Sequence, residues 1–182
     1  MGGYYRQVHS TPQGRLVIAS ARPEDAGPIA LLYGGVIGEE RWFITAAEEH
    51  SLGPERMLEQ LLDRQRRDNA IDLVARLDRA LVGALCLAGG PLRRTSHVGR
   101  LELFVAEAAR GHGVGRALLA SAIEWAEANP RLQKLSLSVF EDNARAVALY
   151  RSMGFVDEGR RVGEYRERDG TLRSDLLLCR SV

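Results

Sequence analysis

Residues 110–115 read Arg-Gly-His-Gly-Val-Gly, and they stand between a strand-like apolar run, Leu101 to Val105, and a helix-like run from Val114 to Ala128. A strand that turns through glycines into a helix commits this part of the chain to an α/β layer. The same junction is suited to phosphate. Backbone N–H groups in the first helical turn have no intrahelical partner, and the macrodipole adds partial positive charge there. Gly111, Gly113 and Gly115 carry no Cβ, so an anion can approach the backbone and unusual φ values carry no steric penalty. Arg110 and Arg116 set charge beside those amides.

Three chemistries use loops of this kind. A Walker A loop needs Gly-Lys-Ser/Thr after four residues, and no Lys follows Gly113 or Gly115. A dinucleotide fingerprint needs Gly-x-Gly-x-x-Gly. Counted from Gly111 its last position is Arg116, and from Gly113 it is Leu118, although Glu141 sits near where a ribose-binding acid would stand. The third pattern, Arg/Gln-x-x-Gly-x-Gly/Ala, is met by Arg110, Gly113 and Gly115.

A second segment bears on the choice. Leu135 to Phe140 reads as a strand, Glu141-Asp142-Asn143 offers cap chemistry, and Ala144 to Met153 reads as a helix stopped by Gly154. Asn143, Val147 and Tyr150 fall at i, i+4 and i+7, along one face, with the small Ala146 among them. Together, the glycine loop and the run Asn143 to Phe155 resemble the two signatures of the GCN5-related N-acetyltransferases. The resemblance covers residues 70–180 well and the first 70 loosely. The stretches 91–98, 139–143 and 155–180 look most like bacterial RimJ/RimL-like and amino-acid acetyltransferases.

That resemblance implies a fold: a mixed α/β arrangement whose central, mostly antiparallel sheet contains a splayed parallel strand pair, flanked by about four helices. It also implies acetyl-coenzyme A as co-substrate, an amine acceptor (a small molecule or a peptide) and direct attack with both bound. The pantetheine arm would pair with the strand around Phe104 and Val105, where a backbone N–H can also stabilise the oxyanion. The pyrophosphate would lie on Arg110, Gly111, His112, Gly113, Val114, Gly115 and Arg116, with His112 contributing its amide rather than its ring. Tyr150 is the candidate general acid, read alternatively as a core aromatic with its hydroxyl at the rim. Asn143 is a cofactor contact or a helix cap. Glu102, on the central strand, is the candidate base or the partner of a nearby Arg, and His97 is a second candidate base or a structural residue. A noncatalytic acyl-CoA-binding module is the competing function.

The chain order agrees with such a sheet. Arg15 to Ala21 reads as a strand, and Pro23-Glu24-Asp25 opens a helix reaching about Gly34. Residues 38–53 show no clean period. Pro54 to Asn69 reads as an amphipathic helix, and Ile71 to Leu77 with Ala80 to Leu87 as a hairpin turning at Asp78-Arg79. Gly89-Gly90-Pro91 breaks the chain before a central strand from His97 to Val105, and Asp169-Gly170 marks a hairpin within the tail. One domain over 1–182 is expected, with a cofactor part at about 97–155 and acceptor-framing parts at about 22–70 and 156–180.

Composition narrows the partners. The formal charge of +1 argues against a general polyanion binder such as a nucleic-acid protein. No apolar run approaches membrane-spanning length, and Met1 to Arg6 has neither a signal-peptide core nor a myristoylation pattern, so a cytoplasmic protein is expected. Cys86 and Cys179, each in an apolar strand-like segment, read as buried free thiols, and no Cys/His spacing suits a metal. Arg64-Gln65-Arg66-Arg67 reads as a solvated helix face or a phosphate contact, and Glu39, Glu40, Glu48 and Glu49 as ordinary surface acids or an acidic rim favouring a cationic amine. A homodimer is compatible with all of this.

Overall fold

The computed structural model describes residues 6–11, 14–49 and 51–182. The Met1 to Tyr5 start, on which the targeting expectation rests, lies outside the described residues. Eight strands form one sheet in the order β1-β2-β3-β4-β5-β6-β8-β7, where β1 is Arg6–Thr11, β2 Gly14–Ser20, β3 Ala70–Leu77, β4 Ala80–Gly89, β5 Val98–Val105, β6 Lys134–Phe140, β7 Val156–Arg166 and β8 Leu172–Ser181. Helices α1 (Ala26–Ile37), α2 (Pro54–Gln65), α3 (Val114–Glu127) and α4 (Ala144–Ser152) complete the fold.

Every neighbouring pair is antiparallel except β5 with β6, which run parallel and register only over Val98↔Lys134, Gly99↔Leu135 and Arg100↔Ser136. Beyond Arg100 the two strands part. The mostly antiparallel sheet with a splayed parallel pair is therefore the observed architecture.

Alternation along β5 sorts its side chains between two cores. Leu101, Leu103 and Val105 join the cluster built on Leu118, Leu119 and Ala122 of α3, with Val147 and Tyr150 of α4. Phe104 joins the opposite cluster, made by Ile29 and Val36 of α1 and Met57 and Leu61 of α2. Helix α3 sits close on the sheet because Gly83 of β4 has no side chain: a Cβ there would meet Leu118 at 3.0 Å and Val114 at 3.1 Å.

Several boundaries differ from the sequence reading for identifiable reasons. Strand β1 carries a single aliphatic residue, the exposed Val8, and owes its existence to the backbone ladder with β2. Pro23–Asp25 is a separate 3-10 turn before α1, and α1 continues past the Gly34-Gly35 pair because Val36 and Ile37 are buried. Helix α2 ends at Gln65, four residues early. There Arg67 turns back to donate to the Gly89 carbonyl and Asn69 Nδ2 to the Ser96 carbonyl (2.9 Å). The Asp78-Arg79 turn has φ of 46° and 84°, the double left-handed geometry of a two-residue hairpin.

The basic run is not a solvated face throughout. Arg64 Nε donates to both carboxylate oxygens of the buried Asp72, at 2.9 and 2.8 Å, and with Arg67 serves to dock α2 on the sheet. Cys86 and Cys179 are free thiols, but each is only partly buried by its surface exposure. Among the described residues no helix is long and apolar enough to cross a membrane.

Candidate active site

Strand β5 enters the glycine loop and α3 leaves it, so the loop lies at the mouth of the gap between β5 and β6. Gly111 and Gly113 have φ of +86° and +83°, where a side chain would be strained, and a Cβ on Gly111 would also come within 3.0 Å of an Arg145 guanidinium nitrogen. Gly113 is the N-cap of α3 and supplies no side chain to the first turn. The N–H groups of Val114, Gly115 and Arg116 are thus left for a ligand.

A cavity of about 740 Å³ opens over this turn, lined by the loop, by Leu103 to Val105, by Trp42 and Phe43, and by Asn143, Arg145 and Tyr150 of the α4 segment. A second cavity, about 610 Å³, fills the gap between the parting strands and is lined by Arg100 to Leu103, Ser136 to Val139 and the loop from Trp42 to Thr45. The two share one wall: Trp42, Phe43, Leu103, Asn143, Ala146 and Tyr150. Another cavity of about 780 Å³ lies between α4 and β7, but its charges answer one another, Arg151 with Asp157 and Arg160 with Glu141. Glu141 is thereby taken by Arg160 at 2.6 Å, away from any ribose role.

Tyr150 is only 7% exposed, packed edge-on against Phe155 at 5.8 Å between ring centres. Its hydroxyl makes no hydrogen bond with a described residue, and burial raises its pKa to about 12. It is a protonated, unengaged donor at the shared wall. Asn143 caps α4, its Oδ1 accepting from the Ala146 N–H at 3.2 Å, while it also lines both cavities. Cap and cavity contact are one arrangement here.

Backbone geometry assigns the free strand edge. The Ala106 N–H donates to the Val82 carbonyl, so the even-numbered residues of β5 point their backbone groups at β4 and the odd-numbered ones toward the gap. Leu103 and Val105 therefore present N–H groups to the gap. The sequence named Phe104 and Val105, but the backbone of Phe104 faces Ala84, and its contribution to the cavity is its ring.

Other expected groups sit differently. The Arg110 guanidinium bonds Glu39 through both terminal nitrogens at 2.6 Å and the Val105 carbonyl through Nε at 2.9 Å, so it ties loop to strand. Arg116 donates to Ser152 Oγ at 2.8 Å, linking α3 to α4. The His112 side chain is exposed and lines neither cavity. His97 lines neither cavity, and its carbonyl accepts from the Gln133 N–H at 2.9 Å. Glu102 lines the second cavity, and its charge, after burial, helps to raise the pKa of Tyr33.

The acidic rim is not free. Glu39 is held by Arg110, Glu40 and Glu48 by Arg168 of the β7–β8 turn, and Glu49 accepts from the Ala46 N–H. Arg173 of β8 adds a bond to the Arg41 carbonyl at 2.8 Å, with its guanidinium 5.6 Å from the Trp42 ring centre. These ties fix the 38–49 loop over the gap, where Phe43, Tyr33 and Phe104 meet edge to face.

A family model described as "Acetyltransferase (GNAT) family" matches residues 39–155, more than half of the chain. The chain belongs to the GNAT acetyltransferase family. The curated L-amino acid N-acetyltransferase AaaT of Escherichia coli is 36% identical over 87 residues, 48% of this chain and 54% of AaaT, so the chain spans about half of that relative. Among solved structures, a GNAT acetyltransferase from Streptococcus pneumoniae is 29% identical with a TM-score of 0.87, over 92% of this chain and 99% of its own. The yncA protein of Salmonella typhimurium, solved with its cofactor acetyl-CoA, shares the fold at 17% identity and a TM-score of 0.83, over 91% of this chain and 93% of its own.

Within this GNAT domain, three groups that line the cavities were not singled out from sequence. Arg145 makes no hydrogen bond or ion pair with a described residue and lies against Gly111. Its signal was present in the Asn143 to Phe155 run, but one Arg on a helix gives no direction by itself. Trp42 and Phe43 lie in a stretch without period, so only the ties above place them.

Proposed function

We propose that this acetyltransferase moves the acetyl group of acetyl-coenzyme A to the nitrogen of a primary amine, with both substrates bound together and one domain supplying both halves of the site. The observation that carries this reading is Tyr150: a buried side chain whose protonated hydroxyl is unengaged by any described residue, in the wall between the anion cradle and the β5–β6 gap.

The fit of the cradle is physical. Free N–H groups at the start of α3, left-handed glycines and an unpaired Arg145 suit a pyrophosphate. The gap-facing backbone of Leu103 and Val105 suits the amides of a pantetheine arm, and one of those N–H groups can hold the oxygen on which charge develops. Acetyl-coenzyme A supplies an activated thioester when bound.

The chain's residues then manage protons. Glu102 takes one proton from the incoming ammonium, directly or through water, and releases it to solvent. The nitrogen lone pair bonds to the acetyl carbon and the carbon–sulfur bond breaks with its electron pair on sulfur. Tyr150 gives its proton to the sulfur as that charge develops and is refilled by the remaining surplus proton of the new amide nitrogen. Holding the partners in line is worth several kcal/mol, up to about 7–11.

An acceptor screen with thiol detection tests the reading. Amine-dependent thiol release is expected; coenzyme A binding without release under any amine would leave the noncatalytic module instead.

A further inference from the structure

Four ionised side chains line the gap between β5 and β6: Arg100, Glu102, Glu158 and Arg161. Two are neutralised inside the fold. Arg161 pairs with the buried Asp175, and Glu158 with Lys134. The side chains of Arg100 and Glu102 make no hydrogen bond or ion pair with any described residue, although the Glu102 charge acts at longer range on Arg64 and Tyr33. They stand two apart on β5, so their side chains leave the same face, from Cα atoms about 6.6 Å apart. The ladder with β4 holds both in place, Arg100 opposite Ala88 and Glu102 opposite Cys86. The groove they line also holds Tyr150.

A cation and an anion side by side, neither held in an ion pair, are complementary to a ligand that carries both charges a few ångströms apart. We infer that the acceptor is a small zwitterion, a free amino acid, whose carboxylate docks on Arg100 and whose ammonium docks on Glu102. The inference rests on the transferase reading and narrows it. A polyamine would answer Glu102 but bring further positive charge against Arg100. A protein N-terminus would present Arg100 with a neutral peptide carbonyl in place of a carboxylate. The amino acid satisfies both, and Glu102 is then the group beside the proton that must leave before attack. An arginine fork also fits a carboxylate in two-point fashion.

The test is a matched series read by thiol release: an amino acid, its amide, its methyl ester, the decarboxylated amine, a dipeptide with the same first residue, and spermidine. The free amino acid is expected to have the highest kcat/KM, by roughly tenfold or more over its amide and the decarboxylated amine. Arg100→Gln should collapse that ratio, and Arg100→Lys should restore part of it. Calorimetric coenzyme A affinity close to the parent's in both variants would show that the fold and the cradle are intact. Acetylation without preference for the free carboxylate, a preference for spermidine or the dipeptide, or a ratio untouched by Arg100→Gln would overturn the zwitterion assignment and leave the transferase standing. Thiol release with none of the amines would remove the transferase reading, and this inference with it.

Discussion

Tyr150 shows what a single side chain carries here. Its periodic place on α4 was readable from Asn143, Val147 and Tyr150, because those positions depend only on local helical spacing. What sequence could not show is that the hydroxyl has no partner among the described residues, since that depends on which side chains the rest of the fold brings near. If the hydroxyl protonates sulfur, Tyr150→Phe should lower kcat by about 10²-fold or more while leaving coenzyme A affinity almost unchanged. An unaltered kcat would remove Tyr150 from the chemistry. The same burial has a separate consequence for stability. The folded protein holds this proton to about pH 12, against 10.0 for an ordinary phenol. The stability linked to the proton is complete below about pH 10 and is lost as pH rises toward 12, a contribution of roughly 3 kcal/mol. Urea titrations across that interval should show the Phe variant losing less stability than the parent; equal losses would mean that the hydroxyl is hydrated. Gly113 is the second residue with a sharp expectation. At φ +83° it caps α3 with bare N–H groups, so Gly113→Asp should strain the turn and place like charge in the cradle. Calorimetry should find coenzyme A binding abolished, and retained binding would put the phosphates elsewhere.

Elements differ in how far local pattern determines them. The strand, glycine loop and helix from Val98 to Glu127 were legible because alternation, left-handed glycines and helical periodicity act within a few residues of one another. The 38–49 loop was opaque for the opposite reason. Its position is set by Glu39 meeting Arg110, Glu48 meeting Arg168 and the Arg41 carbonyl meeting Arg173, contacts spanning 71, 120 and 132 residues of sequence. The same distance hid the fate of the four acids, which look like an anionic rim until their partners are seen. The Glu39–Arg110 pair is two-pronged and mostly buried, each side chain 21% exposed. Removing one charge leaves the other partly desolvated without an answer, at about 1–3 kcal/mol. Glu39→Gln should therefore lower the Tm by several degrees. It should also raise the acceptor KM more than the acetyl-coenzyme A KM, because it frees the loop bearing Trp42 and Phe43. Equal changes in the two constants would show that the loop frames neither substrate selectively.

At the scale of the molecule, the parting of β5 from β6 is what the proposed kinetic scheme rests on. The two cavities abut along a wall that contains Tyr150, which leaves room for the proposed donor and acceptor to be present together without a covalent relay. Cys86 is a thiol beside this region. It lies opposite Glu102 in the ladder, lining an adjoining space of about 210 Å³ beside the Arg64–Asp72 pair, which shares Tyr33 and Glu102 with the gap. Burial and the neighbouring Asp72 charge push its thiol well above the ordinary range, which leaves almost no thiolate to accept an acyl group. Initial rates measured over a grid of both substrates should therefore give intersecting double-reciprocal lines, and Cys86→Ala should keep the pattern with kcat within about twofold, since a partly buried thiol exchanged for a methyl perturbs packing only modestly. Parallel lines, or a labelled acyl group retained on the protein after incubation with acetyl-coenzyme A alone, would replace direct attack with a covalent intermediate and would require a nucleophile other than this protonated thiol.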